Sequence, residues 1–121
     1  IHEMPENVNE LEHLEDLNMS HNLLLQVPNN FFDLRYLHNL NLSNNKLSEI
    51  PEELGNLKNS LKYLNFSCNS LISLPDSVTK LSNLIEFDVS FNLIENLPGV
   101  GLGNENVHFL GKRGGGANKS F

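Results

Sequence analysis

Tryptophan is absent from this 121-residue chain, cysteine occurs once, and tyrosine only twice. The single cysteine, Cys68, excludes an internal disulfide framework and a four-cysteine zinc site. Basic residues are sparse: 8 Lys and Arg stand against 15 Asp and Glu, a formal net charge of −7. Nucleic acid and anionic membrane surfaces both demand a basic footprint, so neither fits as the main partner. No apolar run approaches the roughly 18 residues of a membrane span. The chain starts with Ile1, and no signal-peptide pattern follows. The expectation is a segment of a longer protein.

Leucine and asparagine fill the space left by these scarcities. They number 23 and 20, more than a third of the chain, and the hydrophobic share of 39% is enough to build a core. Their placement is periodic. All five prolines, Pro5, Pro28, Pro51, Pro75 and Pro98, recur at spacings of 23, 23, 24 and 23. Asn22, Asn45, Asn69 and Asn92 keep the same beat, and leucines fill the frame between them. The second unit, for example, runs Leu34, Leu37, Leu40, Leu42, Asn45, Leu47, Ile50, Pro51. The extra residue of the 24 falls within Lys58-Asn59-Ser60, outside the strand, where an insertion costs least.

The pattern L-x-x-L-x-x-L-x-L-x-x-N-x-L-x-x-L-P resembles the leucine-rich repeat family, over roughly residues 1–98 with an echo to about 110. The 23-residue length and the Leu-Pro ending resemble its Ras-suppressor-type intracellular subclass. The resemblance implies an α/β right-handed solenoid with a parallel β-sheet on the concave face and short 3₁₀ or helical turns on the convex face.

The residues support that fold on their own terms. Leu40 and Leu42 alternate with Asn41 and Ser43, which is a strand signal with one face inward. A 23-residue unit cannot bury its apolar side alone, so the units must stack. The four asparagines at the strand exits are read as a structural ladder, because an amide both donates to and accepts from backbone groups that a turn strands. Each proline fixes φ at the outer turn and forces an extended residue before it. Residues 51–58 and 75–81 then read as the short helical turns.

The domain reading is a solenoid over 1–110 and a Gly-rich tail or linker over 111–121. The solenoid comprises a partial unit at 1–10, four full units over about 11–98 and a degenerate last unit over 99–110. Val107 and Leu110 lie 23 residues beyond Leu84 and Phe87, which predicts a last strand near 106–110. In the tail, Lys119-Ser120 hints at a phosphate-binding loop. That loop needs two glycines to wrap phosphate, and Asn118 and Arg113 stand in their places, so the tail reads as a linker.

Function is expected on the strand residues that face away from the core. They form four columns: Asp16, Asn39, Tyr63 and Glu86; Asn18, Asn41, Asn65 and Asp88; Ser20, Ser43, Ser67 and Ser90; and, at the strand exits, His21, Asn44, Cys68 and Phe91. Candidate partner-binding residues are Asp16, Asn18, Asn39, Asn41, Tyr63, Asn65, Glu86, Asp88 and Phe91. Tyr63 would be an anchor, and the carboxylates would pair with a basic segment of a protein partner. The serines read as small packing residues. A catalytic reading fails on distance. Cys68 and His21 lie two strand steps apart, roughly 10 Å, and Asp16 and Glu86 three steps, roughly 14 Å. His2, His13, His38 and His108 occupy scattered repeat positions with no metal pair at i, i+4. No catalytic, cofactor or metal residues are therefore expected.

Four N-x-S sequons, at Asn18, Asn41, Asn65 and Asn118, are read as a by-product of the repeat. Without disulfides, the reading is intracellular and cytoplasmic rather than extracellular. The expected function is a non-enzymatic protein-interaction module of a larger signalling or scaffold protein. Alternatives are a substrate-recruiting segment of a multidomain enzyme (kinase, phosphatase, GTPase, cyclase or deadenylase) and a receptor ectodomain.

Overall fold

A computed structural model describes residues 13–27 and 32–94, and the backbone of 108–110. Five short strands, each of three residues, form one parallel sheet in chain order: β1 (Asp16–Asn18), β2 (Asn39–Asn41), β3 (Tyr63–Asn65), β4 (Glu86–Asp88) and β5 (His108–Leu110). Two 3₁₀ turns, Glu52–Leu57 and Asp76–Lys80, lie on the return path, each entered from a proline with an extended backbone, Pro51 and Pro75. This is the expected solenoid, with its sheet on one face and its short turns on the other.

Register follows from the repeat. Leu17, Leu40, Leu64 and Phe87 stand opposite one another in consecutive strands. A one-residue slip would turn every core side chain to the wrong face, so the leucine columns lock the pairing. Beneath the sheet, Leu34, Leu57 and Leu81, then Leu37, Leu61 and Leu84, then Leu42, Phe66 and Val89 are all buried in one continuous core. Burial of one leucine contributes about 1.5–3 kcal/mol, and the stacked columns multiply that across unit boundaries.

Three features depart from the periodic reading. Phe32 is fully buried although the leucine frame does not select it. Ser43 and Ser67, expected in an outward column, are buried as well. The last strand pairs Phe109, not Leu110, with Phe87. The interval from Phe87 is thus 22 residues rather than 23, and the shorter return shifts the register by one. Residues 1–10, with their partial unit, and the tail at 111–121 lie outside the described residues, as do Pro98 and the sequon at Asn118.

The two 3₁₀ turns pack closely. A Cβ built on Gly55 would lie 2.9 Å from Cβ of Ser77, nearer than side-chain atoms approach, so the absence of a side chain at Gly55 sets the spacing of the convex face. Ser77 is buried there.

Candidate functional site

The strand exits hold the sheet's surface in place. Past β2, the ladder of parallel hydrogen bonds continues from Leu42 N–H to Asn65 O at 2.8 Å and from Asn44 N–H to Ser67 O at 2.9 Å. The same pair of bonds recurs one unit later, from Phe66 to Asp88 and from Cys68 to Ser90. To make the turn that follows, the chain places one residue per unit in the left-handed region: His21 (φ 58°), Asn44 (56°), Cys68 (57°) and Phe91 (58°). Asparagine tolerates that conformation. For the other L-residues it costs about 1–2 kcal/mol. The repeat frame alone does not reveal these angles, because no glycine marks the position.

The asparagine after each of these residues collects the turn's polar groups. Asn45 Nδ2 donates to Leu42 O and Ser43 O within its own unit and to Met19 O of the unit before, while its Oδ1 accepts from Leu24 N–H. Asn92 repeats the arrangement, donating to Val89 O, Ser90 O and Phe66 O and accepting from Leu71 N–H. Asn69 does so between them, with Leu47 N–H as the donor to its Oδ1. Asn22 donates to Met19 O and Ser20 O.

The second and third columns turn out to be one structural device. Asn41 Oδ1 accepts from both the N–H and the Oγ–H of Ser43, at 3.0 and 2.7 Å. Asn18 with Ser20, Asn65 with Ser67 and Asp88 with Ser90 make the same pair of bonds. One oxygen of each of these four side chains is therefore committed to shaping the turn, and the serines are tied back to the column beside them. Asp88 does with a carboxylate what its three counterparts do with an amide, and in doing so adds a charge to the face.

The first column is the free one in exposure. Asp16, Asn39 and Tyr63 are exposed, Tyr63 at 43%, and Glu86 is half-buried. Tyr63 sits between Asn39 and Glu86 in register. Across all sixteen positions of the four columns there are three carboxylates and no Lys or Arg. Asp16 lies on β1, three strands from Glu86, so the structure does not bring those two carboxylates together. It does bring together Tyr63, Glu86 and Asp88 on neighbouring strands.

Beyond the columns, the structure exposes apolar side chains that the repeat pattern had not singled out. Leu23, Leu25, Ile72 and Leu93 are each 45–64% exposed, all just past a strand exit, alongside Phe91 at 52%. At the opposite, entry side of the sheet, the rings of His13 and Tyr36 stack with centroids 5.4 Å apart, and His38 Nδ1 lies 3.8 Å from a Glu15 carboxylate oxygen. Their signal in the sequence is positional only: His13 and Tyr36 are 23 residues apart, as are Glu15 and His38. Among the described residues no three His, Cys, Asp or Glu side chains cluster so as to hold a metal ion, and no helix is long and apolar enough to cross a membrane. Cys68 is a half-buried free thiol.

Comparison with known proteins agrees with this architecture. A sequence model described as Leucine rich repeat matches residues 35–94, and a second of the same description matches residues 13–34. Among solved structures, an LRR protein of Leptospira interrogans is similar at 36% identity and a TM-score of 0.76. The match covers 78% of this chain but only 24% of the Leptospira chain. No curated protein matches.

Proposed function

This chain belongs to the leucine-rich repeat family, and from that premise we propose that it is a non-catalytic protein-interaction segment that binds its partner through the concave sheet. The observation that carries the proposal is the composition of that face: an exposed tyrosine beside two carboxylates, on sixteen positions without a single Lys or Arg. Repeats of this family generally serve as protein-interaction modules, but a fold alone does not assign a function, so the reading rests on the face itself. An exposed aromatic on a rigid sheet presents area at little entropic cost, and like-signed charges around it select the sign of the partner. The 23-residue Leu-Pro frame favours the Ras-suppressor-type subclass, and with it an intracellular signalling or scaffold role within a larger protein. The lone cysteine fits that compartment.

The test is a quantitative pull-down from cell extract with the chain as bait, comparing wild type with Tyr63→Ala/Glu86→Arg after circular dichroism has shown that the variant folds. Partners captured by wild type and lost from the variant support the concave site. An identical partner list for both would overturn it.

A further inference from the structure

The four units share one backbone, but their surfaces differ, and the difference is concentrated at the end of β4. In unit two the outward residues are Asn39, Asn41, Asn44 and Lys46; at the same positions unit four carries Glu86, Asp88, Phe91 and Leu93. Phe91 occupies the left-handed position, which suits Asn44 and penalises a bulky aromatic, and it is 52% exposed there. Leu93 is 55% exposed, and its N–H donates to Leu71 O, which sets it beside Ile72, itself 64% exposed. The apolar group of units three and four therefore continues the concave face over the strand-exit edge. At its inner end stand Glu86 and Asp88, two residues apart on one face, with Tyr63 on the next strand.

We propose that this edge of units three and four docks a short, extended, basic segment of a partner protein whose lysine or arginine side chains alternate with aliphatic ones. This deepens the concave-face reading and rests on it. Charge complementarity fixes the cationic half of the motif, since the two carboxylates here meet no Lys or Arg anywhere in the four columns. The aliphatic half follows from Phe91, Leu93 and Ile72, which form an apolar rim that a purely ionic partner would leave in water. The length follows from strand geometry. Glu86 and Phe91 are five residues apart at roughly 3.3 Å per residue, so an extended segment of about five or six residues spans the distance. Alternation follows too, because successive side chains of an extended segment point to opposite sides.

The test uses the chain and three labelled twelve-residue probe peptides, alternating Lys-Leu, alternating Lys-Ser and alternating Glu-Leu, read by fluorescence anisotropy. The Lys-Leu peptide should bind at least tenfold tighter than either of the others and weaken as salt rises. Two variants carry residues already present in this frame elsewhere in the chain, so they suit the backbone. Phe91→Asn/Leu93→Ser, with the residues of units two and three, leaves net charge unchanged and should weaken Lys-Leu binding at least tenfold while the unfolding midpoint holds or rises. Asp88→Asn, with the residue of units one to three, should weaken it a few-fold. Equal binding of the Lys-Leu and Lys-Ser peptides would overturn the proposal, as would wild-type affinity of Phe91→Asn/Leu93→Ser. If that variant binds like wild type but Tyr63→Ala/Glu86→Arg loses the peptide, the edge is wrong and the concave reading survives. If neither variant loses it, both fail.

Discussion

Units two and four are built on the same internal residues and present opposite exteriors. Both place a hydrophobic residue at the strand centre, Leu40 or Phe87, both bury the asparagine after the turn, and both hold the residue before it at φ 56–58°. Outside, unit two is neutral and polar up to Lys46, whereas unit four is acidic and then apolar. The contrast teaches that a repeat fold divides its sequence into positions fixed by the stack and positions left open for selection by a partner. Where an open position is filled against backbone preference, as at Phe91, the stack is paying for something other than itself.

The largest expected effect treats the two units as equivalent. Asn45→Ala and Asn92→Ala each strand one backbone N–H and two or more carbonyls in a buried turn, and each should lower stability by about 3–5 kcal/mol in urea unfolding. If Asn92→Ala proves harmless while Asn45→Ala does not, the units are not built alike. Next comes Gly55→Ala, whose new methyl would crowd Ser77 between the convex turns and should cost about 1–3 kcal/mol. Part of that loss should return in the double variant with Ser77→Gly, measured as a double-mutant cycle. Exchanging the left-handed residues separates the units by sign. Asn44→Phe should destabilise and Phe91→Asn should stabilise, each by about 1 kcal/mol in thermal or denaturant unfolding. The smallest effect belongs to Asp88→Asn, which keeps the acceptor for Ser90 and should shift stability by under about 0.5 kcal/mol.

Most of the fold was legible because it is written in apolar residues whose spacing is imposed by stacking. Proline and leucine periodicity placed the first four strands and both 3₁₀ turns, and the asparagine beat marked positions that each bond two units. What escaped was set by contacts that periodicity does not encode. The shift of the last strand, which pairs Phe109 with Phe87, depends on a return path one residue shorter than the others. The left-handed residues were hidden because glycine, the usual marker of positive φ, is replaced by His21, Asn44, Cys68 and Phe91. The columns of the face could be enumerated from the alternation of the strands. Which of their members are spent on the turn could not, since Asn41 and Asn39 look alike in a sequence and only the first accepts hydrogen bonds from a serine two residues on.

The asparagine ladder also determines what an exchange experiment would report. The amides of Leu24, Leu47 and Leu71 donate to side chains of the unit that follows, not to their own. Their deuterium uptake is therefore a gauge of the neighbour: Leu24 exchanges when unit two opens, and Leu71 when unit four does. Each unit carries a built-in sensor of the integrity of the next, all pointing in one direction along the solenoid. A defect in one turn should thus appear first in the protection of a residue about 21 positions upstream of it.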